Sequence, residues 1–280
     1  MPSLVGSEMC IRDRLYSKLV DKSMAFLLLY PSMLSIVILT KNSEKSLDRA
    51  LESTISFPDV IVLDSESTDS TKSIASKYPN VRFYVRPFCG FGPMRQVADS
   101  LSTYDWIFAL DSDEVLSPSL IQTLHSISTD SKNVYRFPRH NFYNDKWIRW
   151  CGWYPDKQIR LYNKKMTSFS KALVHEKVET GHMQIIDLKS PIFHYSYNNM
   201  DDFLVKMRLY SSLFSDQYHG KKKSSMMRAL GHSSYAFIKS YFLQRGFLGG
   251  KEGLLISLYN SHTTFYKYLK LWEKNKHSKL

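Results

Sequence analysis

Cysteine is scarce in this chain: three in 280 residues, Cys10, Cys89 and Cys151, at no paired or metal-like spacing. That argues against a disulfide framework and a zinc site, and it fits a reducing compartment. No uninterrupted apolar run reaches the length that crosses a bilayer. The nearest, Met24 to Leu39, is broken by Tyr30-Pro31-Ser32 and reads as a leader followed by a strand. Acidic residues are outnumbered, 26 Asp and Glu against 38 Lys and Arg, for a net charge of +12. The excess is uneven, because residues 199–280 hold 14 Lys and Arg against 5 Asp and Glu, a balance of +9. A polyanionic surface near that end is the partner such a charge favours. At 43% hydrophobic the chain has enough apolar side chains to bury a full core. The opening Met1 to Arg14 fits nothing downstream, and Met33 makes a natural start. The expected organisation is therefore a leader over 1–32, foreign to the fold or disordered, a main domain over 33–198 and a basic helical region over 199–280.

The most informative stretch is Ala109-Leu110-Asp111-Ser112-Asp113-Glu114. An apolar run from Trp106 to Leu110 reads as a short buried strand and ends abruptly in carboxylates. Leaving a sheet on a cluster of like charges is costly unless cations neutralise it. Hard oxygen ligands at i and i+2 suit Mg²⁺ or Mn²⁺, which keep waters and bind substrate phosphates as well. An acidic strand-to-helix loop followed by Ser117-Pro118 is equally a common way to start a helix.

The chain around it supplies context. Leu34 to Leu39 is a buried-strand run followed by Thr40-Lys41-Asn42 and a helix over Ser43 to Ser56, capped by Ser43, with Leu47, Ala50, Leu51 and Ile55 as its stripe. Val60 to Leu63 is a second strand, ending at Asp64-Ser65-Glu66-Ser67-Thr68-Asp69. A helix from Thr68 to Tyr78 and a third strand, Val81 to Val85, come next. Strands and helices alternating with short links imply an α/β fold with a mostly parallel sheet, Rossmann-like, covered by helices on both faces. In such sheets ligands sit at the carboxyl ends of the strands, where Thr40, Asn42, Asp64, Ser65, Asp111 and Asp113 all fall. Before the fourth strand, Gly90 and Gly92 permit close backbone approach, Pro93 suits a first helical turn, and Arg95 near that helix start makes a phosphate cradle.

After a helix over Pro118 to Ile127 the texture changes. Val134 to Phe137, Trp147 to Trp150, Gln158 to Tyr162, Ala172 to Val178 and Ile192 to Tyr195 are short β-prone runs in a mixed region. It holds Trp153-Tyr154-Pro155-Asp156 and Val174-His175-Glu176, and aromatic rings beside a carboxylate suit a sugar. From Met200 the chain reads helical, with stripes at Leu230, Phe237, Ile238 and Tyr241 and at Leu254, Leu258, Phe265, Leu269 and Trp272. A basic, aromatic-rich amphipathic segment can lie on an anionic membrane, or it can pack on the main domain with its lysines solvated.

Together these residues resemble the family 2 glycosyltransferases of GT-A fold. The match is Leu34 to Asn42 as first strand, Asp64-Ser-Glu-Ser-Thr-Asp69 as second acidic turn and Asp111-Ser-Asp113 as the DxD motif. Phe91-Gly92-Pro93, Gly152-Trp-Tyr-Pro-Asp156, Arg160-Leu-Tyr162, Val174-His-Glu176, Gly246-Phe-Leu-Gly-Gly250 and Phe265-Tyr-Lys-Tyr-Leu-Lys270 resemble the lipopolysaccharide core β-1,4-glucosyltransferase (WaaE-like) branch. Lys41 stands where many members have an aromatic, Glu66 where glycine is common, and Ser43 where the branch often has Glu.

The resemblance implies a mixed β acceptor region and an inverting transfer of a hexose, glucose in that branch. The donor is a nucleotide-diphosphate sugar such as a UDP-sugar, and the acceptor a lipopolysaccharide core or related glycan or glycolipid. Thr40, Asn42, Asp64, Ser65, Arg95 and Asp111 would meet the donor, and Asp113 with Asp111 would hold Mg²⁺ or Mn²⁺. Trp153, Tyr154 and His175 would meet the acceptor, and the catalytic base is Asp156 or else Glu176. The cysteine usage and the basic, aromatic region over 199–280 point to a cytoplasmic protein peripheral to the inner face of the cell membrane. A nucleotidyltransferase of similar fold is the competing enzyme, but its usual Gly-rich phosphate loop is missing from Thr40-Lys-Asn-Ser-Glu. A non-enzymatic binder of anionic polymers would explain the basic tail. It leaves the acidic strand ends unexplained, as would nucleic acid, which is not an expected partner.

Overall fold

The computed structural model describes residues 33–172 and 176–277, so the proposed leader over 1–32 lies outside the described residues. The chain divides into two compact units, one running to Phe137 and resuming over Gln158–Ile192, the other made of Pro138–Lys157 and Phe193–Leu280.

The first unit is built on β1 (Leu34–Thr40), β2 (Val60–Asp64), β3 (Val81–Val85) and β4 (Trp106–Asp111). They are ordered β3-β2-β1-β4 and all run parallel. The strands alternate between two cores, as period-two side chains on a doubly covered sheet must. Ile36, Ile38, Val60, Val62, Phe108 and Leu110 pack on one face, with Leu47 and Leu51 of α1 (Leu47–Glu52), Ile74 of α2 (Thr71–Ala75) and Leu120 and Leu124 of α4 (Pro118–Ser126). Val37, Ile61, Ile107 and Ala109 face the other way, onto Met94 and Ala98 of α3 (Phe91–Leu101). This is the α/β class the sequence implies, with helices on both faces.

A short strand, β5 (Glu114–Leu116), follows the acidic turn. β8 (Lys157–Asn163) joins the sheet antiparallel to β4, and β9 (Gln184–Asp187) runs parallel to the Asn133–Arg136 part of β6 (Asn133–Tyr143). The expected strand over Ala172 to Val178 is reduced to an isolated bridge between Phe169 and Val178.

Two helices are shorter than their patterns. α1 starts at Leu47 because residues 43–46 form a turn, with Leu47 N–H on Ser43 O at 2.9 Å. Ser43 is not its cap; its own N–H donates to Thr71 Oγ1 at 2.8 Å. α2 starts at Thr71, whose N–H and hydroxyl both donate to Asp69 Oδ1, at 3.0 and 2.6 Å. Gly92 in α3 has no room for a side chain, since a Cβ there would lie 1.9 Å from Ser170 O.

In the second unit the end of β6 turns through Asn144-Asp145, both left-handed (φ 48 and 56), into β7 (Lys146–Trp147). Two left-handed residues are what a tight hairpin of this kind requires. The C-terminal part of β10 (Ile192–Tyr197) lies in this unit, as do α5 (Met200–Tyr218), α6 (Met226–Ile238) and α7 (Gly250–His277). Its core is Ile148, Cys151, Phe203 and Ile256 with aromatic side chains around them. The seams between helices are lined by small residues: Ser211, Ser215, Ala229, Ser233, Ser240 and Ser257 are buried. Ser257 Oγ donates to Ser240 Oγ at 3.0 Å, and Ser261 Oγ to Ser233 O at 2.9 Å. Of the apolar stripes in the sequence, Leu230, Ile238, Leu254 and Leu258 are exposed, while Phe237, Tyr241, Phe265, Leu269 and Trp272 are half-buried.

Candidate active site

The strand ends converge as their spacing demands. Parallel register sets Thr40 beside Asp64 and Leu39 beside Asp111. Thr40 Oγ1 donates to Asp64 Oδ1 at 2.8 Å, Ser67 N–H to Oδ2 at 2.7 Å and Ser67 Oγ to Oδ1 at 2.5 Å. Asp64 is 2% exposed, and buried Ser65 donates its N–H to Thr40 O at 2.9 Å. Asn42 stitches the two loops together: its Oδ1 accepts Thr68 N–H at 2.9 Å, and its N–H donates to Ser67 Oγ at 2.7 Å. Lys41 Nζ donates to the carbonyls of Ser65 and Glu66 at 2.5 and 2.6 Å. Glu66 has φ 58, the left-handed backbone that glycine adopts freely. Ser43 Oγ reaches Ser112 Oγ at 3.0 Å, tying the first loop to the turn over Asp111-Ser112-Asp113.

At the end of β4, two arginines meet two carboxylates. Arg95, read from the sequence as part of a phosphate cradle, is 2% exposed and aims inward. It donates to Leu110 O at 3.1 Å and Val37 O at 3.3 Å, and pairs with Asp111 Oδ1. Arg160 on β8 donates to Asp111 Oδ2 at 2.5 Å and to fully buried Glu114 at 2.6 Å. Glu114 in turn accepts the Asp111 N–H at 3.0 Å. Burial alone would lower the Arg160 pKa; Asp111 and Glu114 reverse that and hold it above the ordinary range. Behind them, both oxygens of Asp99 accept the Tyr162 hydroxyl at 2.8 Å. Burial pushes Asp99 up to about 6 even against that hydrogen bond and the positive charge of Arg95.

Asp113 lies half-buried in the turn between β4 and β5. Among the described residues no three His, Cys, Asp or Glu side chains form a metal cage. A hard ion that takes one or two carboxylates and fills its shell with phosphate oxygens and water suits such an edge.

The second unit holds a cavity of about 380 Å³ lined by Arg139, Asn141, Trp153, Asp156, His194 and Tyr197, among others. Asp156 Oδ2 accepts Arg139 Nε at 2.8 Å and Asn141 Nδ2 at 3.1 Å, contacts that fix its orientation. Asn141 Oδ1 is 2.6 Å from His194 Nδ1. Trp153 stacks on Tyr197 at 5.2 Å, and Tyr154 stands exposed, edge-on to Trp147 at 5.6 Å. Glu176 is half-buried in the first unit, next to residues 173–175, so His175 lies outside the described residues.

Arg160 belongs to a motif of the sequence, but its pairing with Asp111 and Glu114 does not show there, and Glu114, Arg139 and Asn141 are partners that no motif singles out. For Glu114 the signal was present, as a third carboxylate closing an apolar strand. Nothing local marks Arg139 or Asn141, which reach Asp156 only through the fold.

A sequence profile described as Glycosyl transferase family 2 matches residues 35–188. This chain is a member of that family. An uncharacterized glycosyltransferase of Rickettsia conorii is 30% identical over 262 residues, covering 88% of this chain and 92% of that protein. A lipopolysaccharide core biosynthesis glycosyltransferase of Rhizobium meliloti is 22% identical over 255 residues, covering 86% and 93%. The mannosyltransferase of Pyrobaculum calidifontis, solved in complex with GDP-Man and Mn²⁺, superposes with a TM-score of 0.48 at 11% identity, covering 88% of this chain and 89% of that one. The family 2 match spans the strand ends of Thr40, Asp64 and Asp111 as well as Asp156.

Proposed function

We propose that this glycosyltransferase moves a hexose, glucose in the first instance, from a UDP-sugar to a lipopolysaccharide core or related glycan, with inversion at the anomeric carbon. The reading is carried by Thr40, Asp64 and Asp111 ending neighbouring parallel strands in register. The acceptor class is supported by the lipopolysaccharide core relative, which aligns along 86% of the chain.

The Asn42–Thr68 stitch and the Asp64 turn form the nucleoside side of the donor site, with Ser65 in the same turn. Asp113, assisted by Asp111, would hold Mg²⁺ or Mn²⁺, which when bound neutralises charge building on the departing diphosphate. Arg95 and Arg160 act through Asp111, fixing its carboxylate and with it the course of the turn. An inverting transfer is a single displacement, so it needs one base for the acceptor hydroxyl. Asp156 takes that part, aligned by Arg139 and Asn141, while Trp153 and Tyr154 offer faces to the sugar. Glu176 is the second candidate, and His175 an acceptor contact. The basic helical region places the protein on the cytoplasmic, anionic face of the cell membrane.

Incubation with UDP-, GDP- and dTDP-sugars, Mn²⁺ and a lipopolysaccharide core acceptor tests this by nucleotide release and product mass. Asp156→Asn lowers turnover roughly 10²-fold or more with donor affinity kept, the usual share of a general base. Loss of transfer in Glu176→Gln with Asp156→Asn still active assigns the base to Glu176. Nucleotide release from none of the donors removes the proposal.

A further inference from the structure

Between α6 and α7 the second unit makes an elbow of two tight turns, a π-helical turn over Lys239–Leu243 and a 3₁₀ turn over Gly246–Gly249. They are joined by Gln244 and by Arg245 in a left-handed conformation, φ 57. The inner side of the elbow is pinned. Ser240 and Gly246 are buried, Ser257 Oγ donates to Ser240 Oγ, and Cys151 N–H donates to Gln244 O at 3.1 Å.

The outer side is apolar and open. Phe242 is 56% exposed, Leu243 68%, and Ile238, Phe247 and Leu248 about half. Tyr241 contacts the rings of Phe237, Phe242 and Phe247 at 5.4, 5.1 and 6.4 Å, so these side chains form one patch. From Tyr235 to Lys251 the chain carries Lys239, Arg245 and Lys251 and no carboxylate, and all three cations are exposed. The next residue, Glu252, is paired with Lys146 at 2.7 Å.

Beside Leu243 lies a cavity of about 440 Å³ lined by Arg149, Trp150, Tyr154 and Arg245, among others. Arg149 is held over the Trp147 ring at 4.1 Å. Two guanidiniums at the rim of a cavity next to an apolar projection match a lipid whose phosphate sits above its acyl chains. A second copy of the chain fits poorly, because two-fold pairing would set the three cations of one elbow against the same three of the other.

We propose that the elbow Ile238–Leu248 inserts into the headgroup layer of an anionic phospholipid membrane, with a lipid phosphate between Arg149 and Arg245. The proposal rests on the reading that the helical region meets an anionic lipid surface, and it names the part that enters. Among the described residues no helix is long and apolar enough to cross a membrane, so insertion is interfacial. Aromatic rings flanked by Lys and Arg suit that depth.

Flotation of the full chain with neutral phosphatidylcholine vesicles, and with the same vesicles containing phosphatidylglycerol, tests it. The wild type floats with the anionic vesicles only. The double variant Phe242→Ser/Leu243→Ser and the single variant Arg245→Asn, which keeps a residue tolerant of the left-handed backbone, each bind at least tenfold less. Donor hydrolysis in detergent-free buffer stays within twofold, which shows that both variants fold. Leu204→Ser/Val205→Ser, which removes exposed apolar side chains from α5, leaves flotation unchanged. If the wild type floats but the elbow variants float equally, the elbow is overturned and the broader membrane reading survives. If the wild type is dimeric by light scattering until the elbow is mutated, the elbow is likewise overturned; if it binds neither vesicle, both readings fall.

Discussion

Asp111 ends β4 between two guanidiniums, and this decides how the Asp111-Ser112-Asp113 turn is held. Three carboxylates within four residues would repel one another if left to water and a sheet edge. The chain supplies its own cations, Arg95 from α3 and Arg160 from β8, for Asp111 and Glu114. The sequence announces the need for positive charge at this point but not its source, because both arginines arrive from elements distant in sequence. Arg95 shows the limit most clearly: an arginine at a helix start reads as a phosphate ligand, yet here it bonds the carbonyls of Val37 and Leu110.

Asp99 offers a test at the same scale. Its carboxyl, raised by burial from 3.8 to about 6, is protonated in the folded state at a pH where the unfolded chain has already ionised. Stability therefore falls as pH rises from about 4 to about 6, by on the order of 3 kcal/mol, and the penalty remains above that window. Below about 3.8 both states are protonated and the penalty is absent. In Asp99→Asn the decline disappears, because the amide carbonyl still accepts the Tyr162 hydroxyl without carrying charge. Urea midpoints from pH 4 to pH 7 give converging curves at the acid end; parallel curves would contradict the assignment.

Elements were legible where burial on both faces leaves one pattern. Continuous apolar runs gave β1, β2 and β4 within a residue or two, and Ser117-Pro118 marked the start of α4. Helix lengths were not legible, because Ser43 Oγ accepts Lys41 N–H and Asp69 accepts Thr71 N–H in turns that a periodicity count takes for helix. For the C-terminal helices the sequence left two arrangements open, stripes turned outward or stripes packed on the main domain. Small residues share the seams with Phe203, Ile256, Tyr268 and Leu271 and leave Leu230, Ile238, Leu254 and Leu258 outside. A seam of Ser, Ala and Gly brings helices close without large side chains, the usual device where apolar side chains face lipid.

Gly92 is the element-scale test in the first unit. Its missing side chain lets α3 approach the carbonyls of Ser170 and Ala172, and Gly92 N–H donates to Ala172 O at 3.1 Å. Gly92→Ala drives a methyl into backbone that has no rotamer to yield, at a cost of about 1–3 kcal/mol. Denaturant unfolding of the variant shows it; an unchanged midpoint would mean that α3 and the 170–172 segment separate easily.

At the scale of the molecule, the chain divides its labour between two units. The first, with the strand ends of Thr40, Asp64 and Asp111, lies largely inside the family 2 match over residues 35–188. The second carries the Asp156 cavity, the small-residue helical seams and most of the excess positive charge, and much of it lies beyond that match. Such a division explains why the strand ends of the first unit were legible from three short motifs, whereas the surroundings of Asp156 depend on residues gathered from β6, β10 and α5. The central claim is that the strand ends of the first unit hold a nucleotide diphosphate together with a divalent ion. Titration calorimetry of UDP, GDP and dTDP into the full chain, with Mn²⁺ and with EDTA, tests this most directly. The account predicts that UDP binds with Mn²⁺ and at least tenfold more weakly, about 1.4 kcal/mol, in EDTA or in Asp113→Ala. Equal affinity with and without Mn²⁺, or binding of none of the three nucleotides, would contradict it.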